Sequence, residues 1–393
     1  MTILSEPIVI CGAGLAGSAC AIRLAQWGYP VLLLDKATFP RRKLCGEFLG
    51  PDAMPALQSL GVLEKVQAHS GDPIKTMHLY HRSGKALTVK AAWIRQDYPY
   101  ALALPRLVLD SVLAEHAQSL RVEFQDDCNV LSCLPENKDR FIIEFEAGAA
   151  SVQLKTSRQQ AISTRWIVDA SGRNSRLAAL SRRKNISQRQ QQQPSTEKQV
   201  GIQCHVQLFS QDKDLRMFFF RHGYGGLQPL NGDQANVCLW IQPEYARTCR
   251  ENWESCYALL SDNPAAKDRL RNATPLEAIH TVAGLPQLHQ SARVKPFISV
   301  GDAMMTVEPF SGFGMSHALH SGILAAQIIH ESIKDSRRYE DCLHMYTARH
   351  KARFNAHMGV LRVVHPLMGS ETLQNCLWSI LPPWLPLLAR LYR

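Results

Sequence analysis

Gly12, Gly14 and Gly17 follow directly on the apolar run Ile8-Val9-Ile10-Cys11, and a helical apolar pattern then continues through Leu15 and Ala16 to Gly28. The chemistry served by strand, glycine turn and helix in this order is the binding of a dinucleotide. Gly12 lets the chain turn tightly, Gly14 lets backbone N–H groups approach a pyrophosphate, and Gly17 lets the helix pack close on the strand with its N-terminal dipole facing the phosphates. A second apolar run, Val31 to Leu34, ends at Asp35 and Lys36. A carboxylate there accepts a hydrogen bond from a ribose hydroxyl.

Three later stretches carry the same kind of chemistry. Phe39 to Pro51 is a basic loop whose cations, Arg42 among them, and backbone donors around Cys45, Gly46 and Glu47 can meet a phosphate or a ring edge. Trp166 to Ser175 reads as a buried strand ending in Asp169-Ala170-Ser171-Gly172, a sharp turn where strand carboxyl ends gather at a cofactor crevice. Phe297 to Ala318 reads as another buried strand ending at Gly301-Asp302, then a loop with Pro309, Gly312 and Gly314 that opens a long helix at about Met315, ending near Ile333. Backbone N–H groups at that helix start would face a ring carbonyl or a phosphate, and Asp302 would hold a ribityl hydroxyl. Four side chains stand out as candidates for chemistry. His317 and His320 lie on one helical face beside this loop, for a proton relay or for packing. Cys45 is a redox or substrate-side thiol or a small loop filler, and Tyr224 orients a substrate or packs on a sheet.

The elements that must position these residues are legible in outline. At 393 residues the chain suits two domains rather than one small core. Short strands with aromatics are expected over 74–100, a helix from Arg106 to about Gln118, and an antiparallel meander with strands near 121–124, 129–133, 141–146 and 151–155. A polar linker follows at 181–199. Strands near 200–208, 214–220, 224–230 and 235–241 form a second sheet roofing a substrate cavity, followed by one helix at about 243–260. Composition excludes little. An excess of 44 Lys and Arg over 34 Asp and Glu gives a net charge of +10, which suits an anionic cofactor or an anionic membrane surface. The short Arg clusters lack the interleaved aromatics of a nucleic-acid groove, so no nucleic-acid partner is expected. Eleven cysteines without a CxxC pair or His-Cys metal spacing, and no secretory signal before Ile8, predict reduced thiols, no metal and a cytoplasmic protein. The end of the chain, 376–393, is very apolar but carries three prolines, so it packs over the cavity or rests peripherally on a membrane, and packing is the expectation.

With these four stretches in order, residues 7 to 335 resemble the FAD-dependent monooxygenase superfamily of the para-hydroxybenzoate hydroxylase type, which also holds geranylgeranyl reductases and flavin-dependent halogenases. The resemblance implies an α/β fold: a Rossmann-like FAD-binding domain (1–73, 101–182, 285–335), an inserted, mainly antiparallel substrate domain (74–100, 183–284) and a helical C-terminal region (336–393). It implies noncovalent FAD, with Arg106 near the ribityl and pyrophosphate and the segments Asp169 to Arg173 and Gly301 to Gly314 around the cofactor. It also implies NAD(P)H as electron donor and hydroxylation of an electron-rich, lipophilic or aromatic substrate through a flavin C4a-hydroperoxide. That substrate is a small molecule, free or carried on a protein. Leu44-Cys45-Gly46-Glu47 is similar to the Cys-Gly segment of the reductases and to the Gly-Glu segment of the halogenases. Tyr224 and Gly226 stand where halogenases carry tryptophans, which argues against halogenation. Reduction of isoprenoid-type double bonds, flavin-dependent halogenation and a maturation factor acting on a partner polypeptide are the alternatives. The resemblance leaves the oligomeric state open.

Overall fold

The computed structural model describes residues 4–148, 159–180, 199–285 and 297–368, except positions 5, 138, 174, 176 and 178, together with 375, 378–380, 382–384 and 386. Ile8–Cys11 is the middle strand of a five-stranded parallel sheet in the order Ile298–Ser299, Ile167–Asp169, Ile8–Cys11, Val31–Leu34, Glu123–Gln125. A parallel sheet is covered on both faces, so its inner strands are apolar throughout instead of alternating. Every residue of Ile8–Cys11 and Val31–Leu34 is buried. The helix Leu15–Gln26 packs on the helices Arg106–Ser119 and Gly314–Lys334. Its approach to the second is so close that a Cβ on Gly322 would lie 2.1 Å from the Ala16 carbonyl oxygen, which only glycine permits. A three-stranded antiparallel sheet, Cys128–Pro135, Phe141–Ala147 and Gln159–Thr164, adds Cys133, Ile143 and Phe145 to the same core.

The strand expected to open that meander behaves differently. Glu123–Gln125 runs parallel to Val31–Leu34 in the main sheet, because the helix Arg106–Ser119 carries the chain back across the sheet before it. The strand expected at 151–155 and the linker at 181–198 lie outside the described residues.

The second sheet runs Thr274–Pro275, Gln199–Gln207, Gln234–Ile241, Gly223–Pro229, Leu215–Phe220, Thr76–Tyr80, Ala86–Lys90, with His280–Leu285 also paired to Gln199–Gln207. It is antiparallel except where Leu215–Phe220 meets Thr76–Tyr80. Strands distant in sequence thus share one face. Alternation puts Tyr224, Gly226 and Gln228 on the same side, opposite Trp240, Cys238 and Asn236 of the neighbouring strand. The expected helix over 243–260 is two helices, Pro243–Glu251 and Trp253–Leu260. Asn252 between them is fully extended, and its side chain accepts a hydrogen bond from Ser255 N at 2.8 Å, which starts the second helix afresh. The helix Tyr339–Met368 packs on Gly314–Lys334. Among the described residues no helix is long and apolar enough to cross a membrane.

Candidate functional site

A cavity of about 480 Å³ lies where the carboxyl ends of the parallel strands face the antiparallel sheet. Its floor is bare backbone. Gly46, Gly172 and Gly314 line it, and a Cβ built on any of them would meet no atom within 4 Å. Two helices point their N-termini at it, Leu15–Gln26 from Gly14 and Gly314–Lys334 from Phe313, and neither has a side-chain cap. Unsatisfied N–H groups and the dipoles of both helices therefore favour negative charge at two places in one cavity.

The glycine turn divides its labour. Gly12 (φ +114°) and Gly17 shape the backbone: added Cβ atoms would lie 2.3 Å from Ala170 O and 1.8 Å from Gly12 O. Gly14, Leu15 and Ala16 line the cavity. The Asp35 carboxylate accepts from Ala13 N at 2.7 Å and Ala37 N at 2.9 Å, which ties the end of its strand to the turn. Arg41 reaches towards Asp35 (3.6 Å) and Asp110 (3.3 Å) and stands beside Gly14. On the far side of the cavity, Gly301, Asp302, Pro309, Gly312 and Met315 contribute to the lining, and Lys43 Nζ sits 3.9 Å from Asp302.

The family model for an FAD binding domain matches residues 6–359. The chain belongs to the FAD-binding family. Its relatives include a 1H-pyrrole-2-carbonyl-[peptidyl-carrier protein] brominase from Pseudoalteromonas luteoviolacea, 23% identical, with 84% of this chain and 78% of the relative covered. A menaquinone reductase from Mycobacterium tuberculosis is 26% identical over 83% and 76%. A digeranylgeranylglycerophospholipid reductase from Methanocaldococcus jannaschii is 25% identical over 88% and 82%. Among solved structures, the flavin-dependent halogenase CmlS superposes with a TM-score of 0.78 at 19% identity, covering 95% of this chain and 67% of CmlS. PqsL from Pseudomonas aeruginosa, a probable FAD-dependent monooxygenase, superposes with 0.73 at 17% identity, covering 95% and 99%. The protein is an FAD-dependent oxidoreductase.

The bared glycines and open helix N-termini fit the pyrophosphate and flavin of FAD. Several residues singled out in the sequence stand elsewhere. Lys36 is exposed and off the cavity. Arg42 turns away to pair with Glu277 and approach His280, so Arg41 and Lys43 are the loop cations beside the cavity. Asp169 is fully buried and committed to its own turn, accepting from Ser171 N and Oγ and from Ser175 Oγ. It shapes the backbone that presents Gly172. His317 is buried against the C-terminal helix, with Nε2 3.0 Å from His350 Nε2; burial, and then His350, push its pKa well below the ordinary histidine range. It does not line the cavity. His320 meets the Asp52 carbonyl at 2.8 Å and Arg353 at 3.0 Å.

Asp35, spent on the amides of its own turn, does not line the cavity, whereas Arg106, Cys45, Glu47 and Tyr224 do. Arg106 is buried and bidentate to Asp110, both bonds 2.9 Å, and its guanidinium also engages the Cys45 thiol. Cys45 is fixed at both ends of its peptide, its N–H donating to Gln203 Oε1 and its carbonyl accepting from Asn236. The Glu47 carboxylate accepts from Arg106 N at 3.0 Å and meets His205 Nε2 at 2.8 Å. Tyr224 stacks on Trp240 with ring centroids 5.9 Å apart and donates to Glu308 Oε1 at 3.0 Å. Burial and then the Glu308 charge push its phenol pKa well up. Two residues absent from the sequence reading complete the sheet wall. Gln228 Oε1 and Trp240 Nε1 are buried there and have no hydrogen-bond partner among the described residues. Period-two spacing from Tyr224 already assigns Gln228 to that face; Trp240 joins it only through strand pairing.

Proposed function

We propose that this oxidoreductase is a monooxygenase that transfers one oxygen atom to a lipophilic, electron-rich substrate held against the antiparallel sheet. The supporting observation is the unpartnered pair Gln228 Oε1 and Trp240 Nε1, set in a wall of Met77, Leu79, Val89 and Met217. A buried acceptor and a buried donor cost about 1–3 kcal/mol each when unmade, and a ligand that satisfies both recovers that cost. The matching ligand has an apolar body and one polar end that both donates and accepts, as a phenolic or enolic hydroxyl does. Tyr224 and Phe310 give that body aromatic surface to lie on.

FAD, when bound, supplies the electrons and the activation of dioxygen. The chain's own residues bind and orient. Gly14, Leu15 and Ala16 would offer N–H groups to the pyrophosphate with Arg41 alongside, Asp302 and Lys43 would hold the ribityl chain, and the helix start at Gly314 and Met315 would hold the flavin ring. Tyr224, Trp240 and Phe310 exclude water from the substrate side. A second reading, reduction of an isoprenoid-type double bond, is favoured by the Cys45 thiol beside Arg106 at the cavity and by relatives named as reductases. Incubating the FAD-loaded protein with NADH or NADPH and a panel of lipophilic phenols and isoprenoid quinones separates the two. Oxygen uptake matched by a product heavier by one oxygen atom is the expected result. A product gaining two hydrogens without oxygen uptake establishes the second reading, and uptake yielding only hydrogen peroxide with every compound rejects the first.

A further inference from the structure

We propose that Glu47 and His205 form a proton relay between the cavity and the surface, with His205 the proton donor to Glu47 and the Glu277 charge beside the ring. The proposal rests on the FAD reading but adds a proton-transfer role for Glu47 and brings in His205 and Glu277, to which no binding role falls. The Gln199–Gln207 strand places Gln203 and His205 on one face, and both meet the Phe39–Pro51 loop, Gln203 at Cys45 and His205 at Glu47. His205 stands between two carboxylates: Nε2 is hydrogen-bonded to Glu47 Oε2 at 2.8 Å, and Nδ1 lies 3.0 Å from Glu277 Oε1 as a charge contact without hydrogen-bond geometry. Glu277 in turn meets Arg42, whose side chain is 57% exposed, and lies 3.9 Å from His280, 42% exposed. At the inner end Glu47 lines the cavity and is 3% exposed. A row of ionisable groups in charge contact thus leads from solvent to the cavity wall, its inner link, His205 to Glu47, a hydrogen bond. Glu47 also holds a φ of +57°, a backbone region that residues with side chains rarely take.

The charges around the ring favour a donor. Burial disfavours the imidazolium, but the Glu47 hydrogen bond and the charges of Glu47 and Glu277 outweigh burial and the opposing Arg42, so the His205 pKa is raised. Glu277 is held ionised: burial opposes this, and Arg42 and then His205 prevail. At the inner end Arg106 N donates to Glu47. The nearby Cys238 thiol stays protonated because burial, then Glu47, push its pKa well up, so it does not compete. The step balances simply. The imidazolium passes its Nε2 proton to Glu47 Oε2 and is left neutral with its other proton on Nδ1, facing Glu277. Glu47 releases the proton into the cavity. The ring, its side chain 19% exposed, regains one from solvent.

A purely structural role, clamping the loop to the sheet, predicts that glutamine replaces His205 well, since its N–H can still donate to Glu47. A relay predicts the opposite, because glutamine carries no titrating proton. The test is made on FAD-loaded protein, after FAD content and melting temperature have been measured for wild type, His205→Gln and His205→Gly. A readout independent of turnover comes first: ¹⁵N-histidine NMR should show His205 titrating above the ordinary histidine range in wild type and falling back in Glu47→Gln. The flavin is then reduced with dithionite and mixed with dioxygen, the anionic reduced flavin plus dioxygen plus one proton giving oxidised flavin and hydrogen peroxide. His205→Gln should reoxidise about 10²-fold more slowly over the pH range in which His205 is protonated in wild type, as loss of a general acid does. The gap should close as His205 loses its proton at higher pH and as solvent protons suffice in acid. Added imidazole should restore His205→Gly. Wild-type rates and pH profile in His205→Gln, no rescue of His205→Gly by imidazole, or loss of FAD from His205→Gln would each overturn the relay. A wild-type protein that takes up no FAD would count instead against the FAD reading.

Discussion

Gly14 and Gly17 sit three residues apart in one turn, yet a side chain at each meets a different obstacle. A Cβ at Gly17 lies 1.8 Å from Gly12 O, so Gly17→Val breaks the packing of the Leu15–Gln26 helix on its strand. A Cβ at Gly14 meets nothing nearer than the Arg41 guanidinium at 3.5 Å and faces the cavity. Gly14→Val is therefore expected to fold with a melting temperature close to the apoprotein's and to take up no FAD on titration, whereas Gly17→Val is expected to be poorly soluble or unfolded. Stoichiometric FAD in Gly14→Val would show that the turn serves something else. At this scale the sequence was legible where spacing dictates geometry, as in the glycine turn. It was not legible in the irregular Phe39–Pro51 loop, where no period says which way a side chain points: Arg42 was read as facing the cofactor but pairs with Glu277, while Lys43 lines the cavity and Arg41 stands beside Gly14. His205 and Glu277 are 72 positions apart and meet only through strand pairing, which no local pattern announces.

Strands and helices were legible wherever apolar periodicity was strong, and the departures have local causes. Asn252 splits one expected helix because its side chain caps the next, and Glu123–Gln125 joins the parallel sheet because a helix precedes it. A less visible feature holds the antiparallel sheet to its covering helices. Asp212, 6% exposed, accepts from Arg216 Nε at 2.6 Å on the Leu215–Phe220 strand and from Arg269 Nε at 2.7 Å on the helix Pro264–Leu270. Burial raises the pKa of this carboxyl, but the Arg216 hydrogen bond and charge, with Arg269, outweigh it and lower the value. A carboxylate whose folded pKa is depressed stabilises the fold above its unfolded pKa, and that contribution is lost as pH falls through the folded value. Asp212→Asn should therefore cost about 3 kcal/mol at neutral pH, where it leaves two arginines without their charge partner. Its stability deficit against wild type should shrink steadily in acid. A deficit that stays constant from neutral pH to about pH 3 would remove the charge argument.

At the scale of the whole molecule, the two sheets make the cavity between them, and Trp378 packs behind one of its walls. Trp378 is 3% exposed; its indole N–H lies 3.0 Å from Lys85 O and 3.3 Å from Leu79 O. Its ring meets Phe219 edge-on at 5.5 Å, in a cluster with Leu87 that packs on Leu79, Tyr224 and Phe310, three residues of the cavity wall. A tryptophan seated this way belongs to the protein interior, and replacing it with alanine costs about 3–5 kcal/mol. Trp378→Ala, and equally removal of 376–393, should lower the melting temperature of the FAD-loaded protein and make flavin fluorescence more accessible to iodide, because the Phe219, Tyr224 and Phe310 wall loses its backing. Binding to anionic liposomes should not change. If those residues instead rest on a membrane, their removal leaves the melting temperature as it was and abolishes a liposome affinity that salt weakens. That pair of results, with Trp378→Ala as stable as wild type, would show that the tryptophan's place against the sheet contributes nothing to closing the cavity.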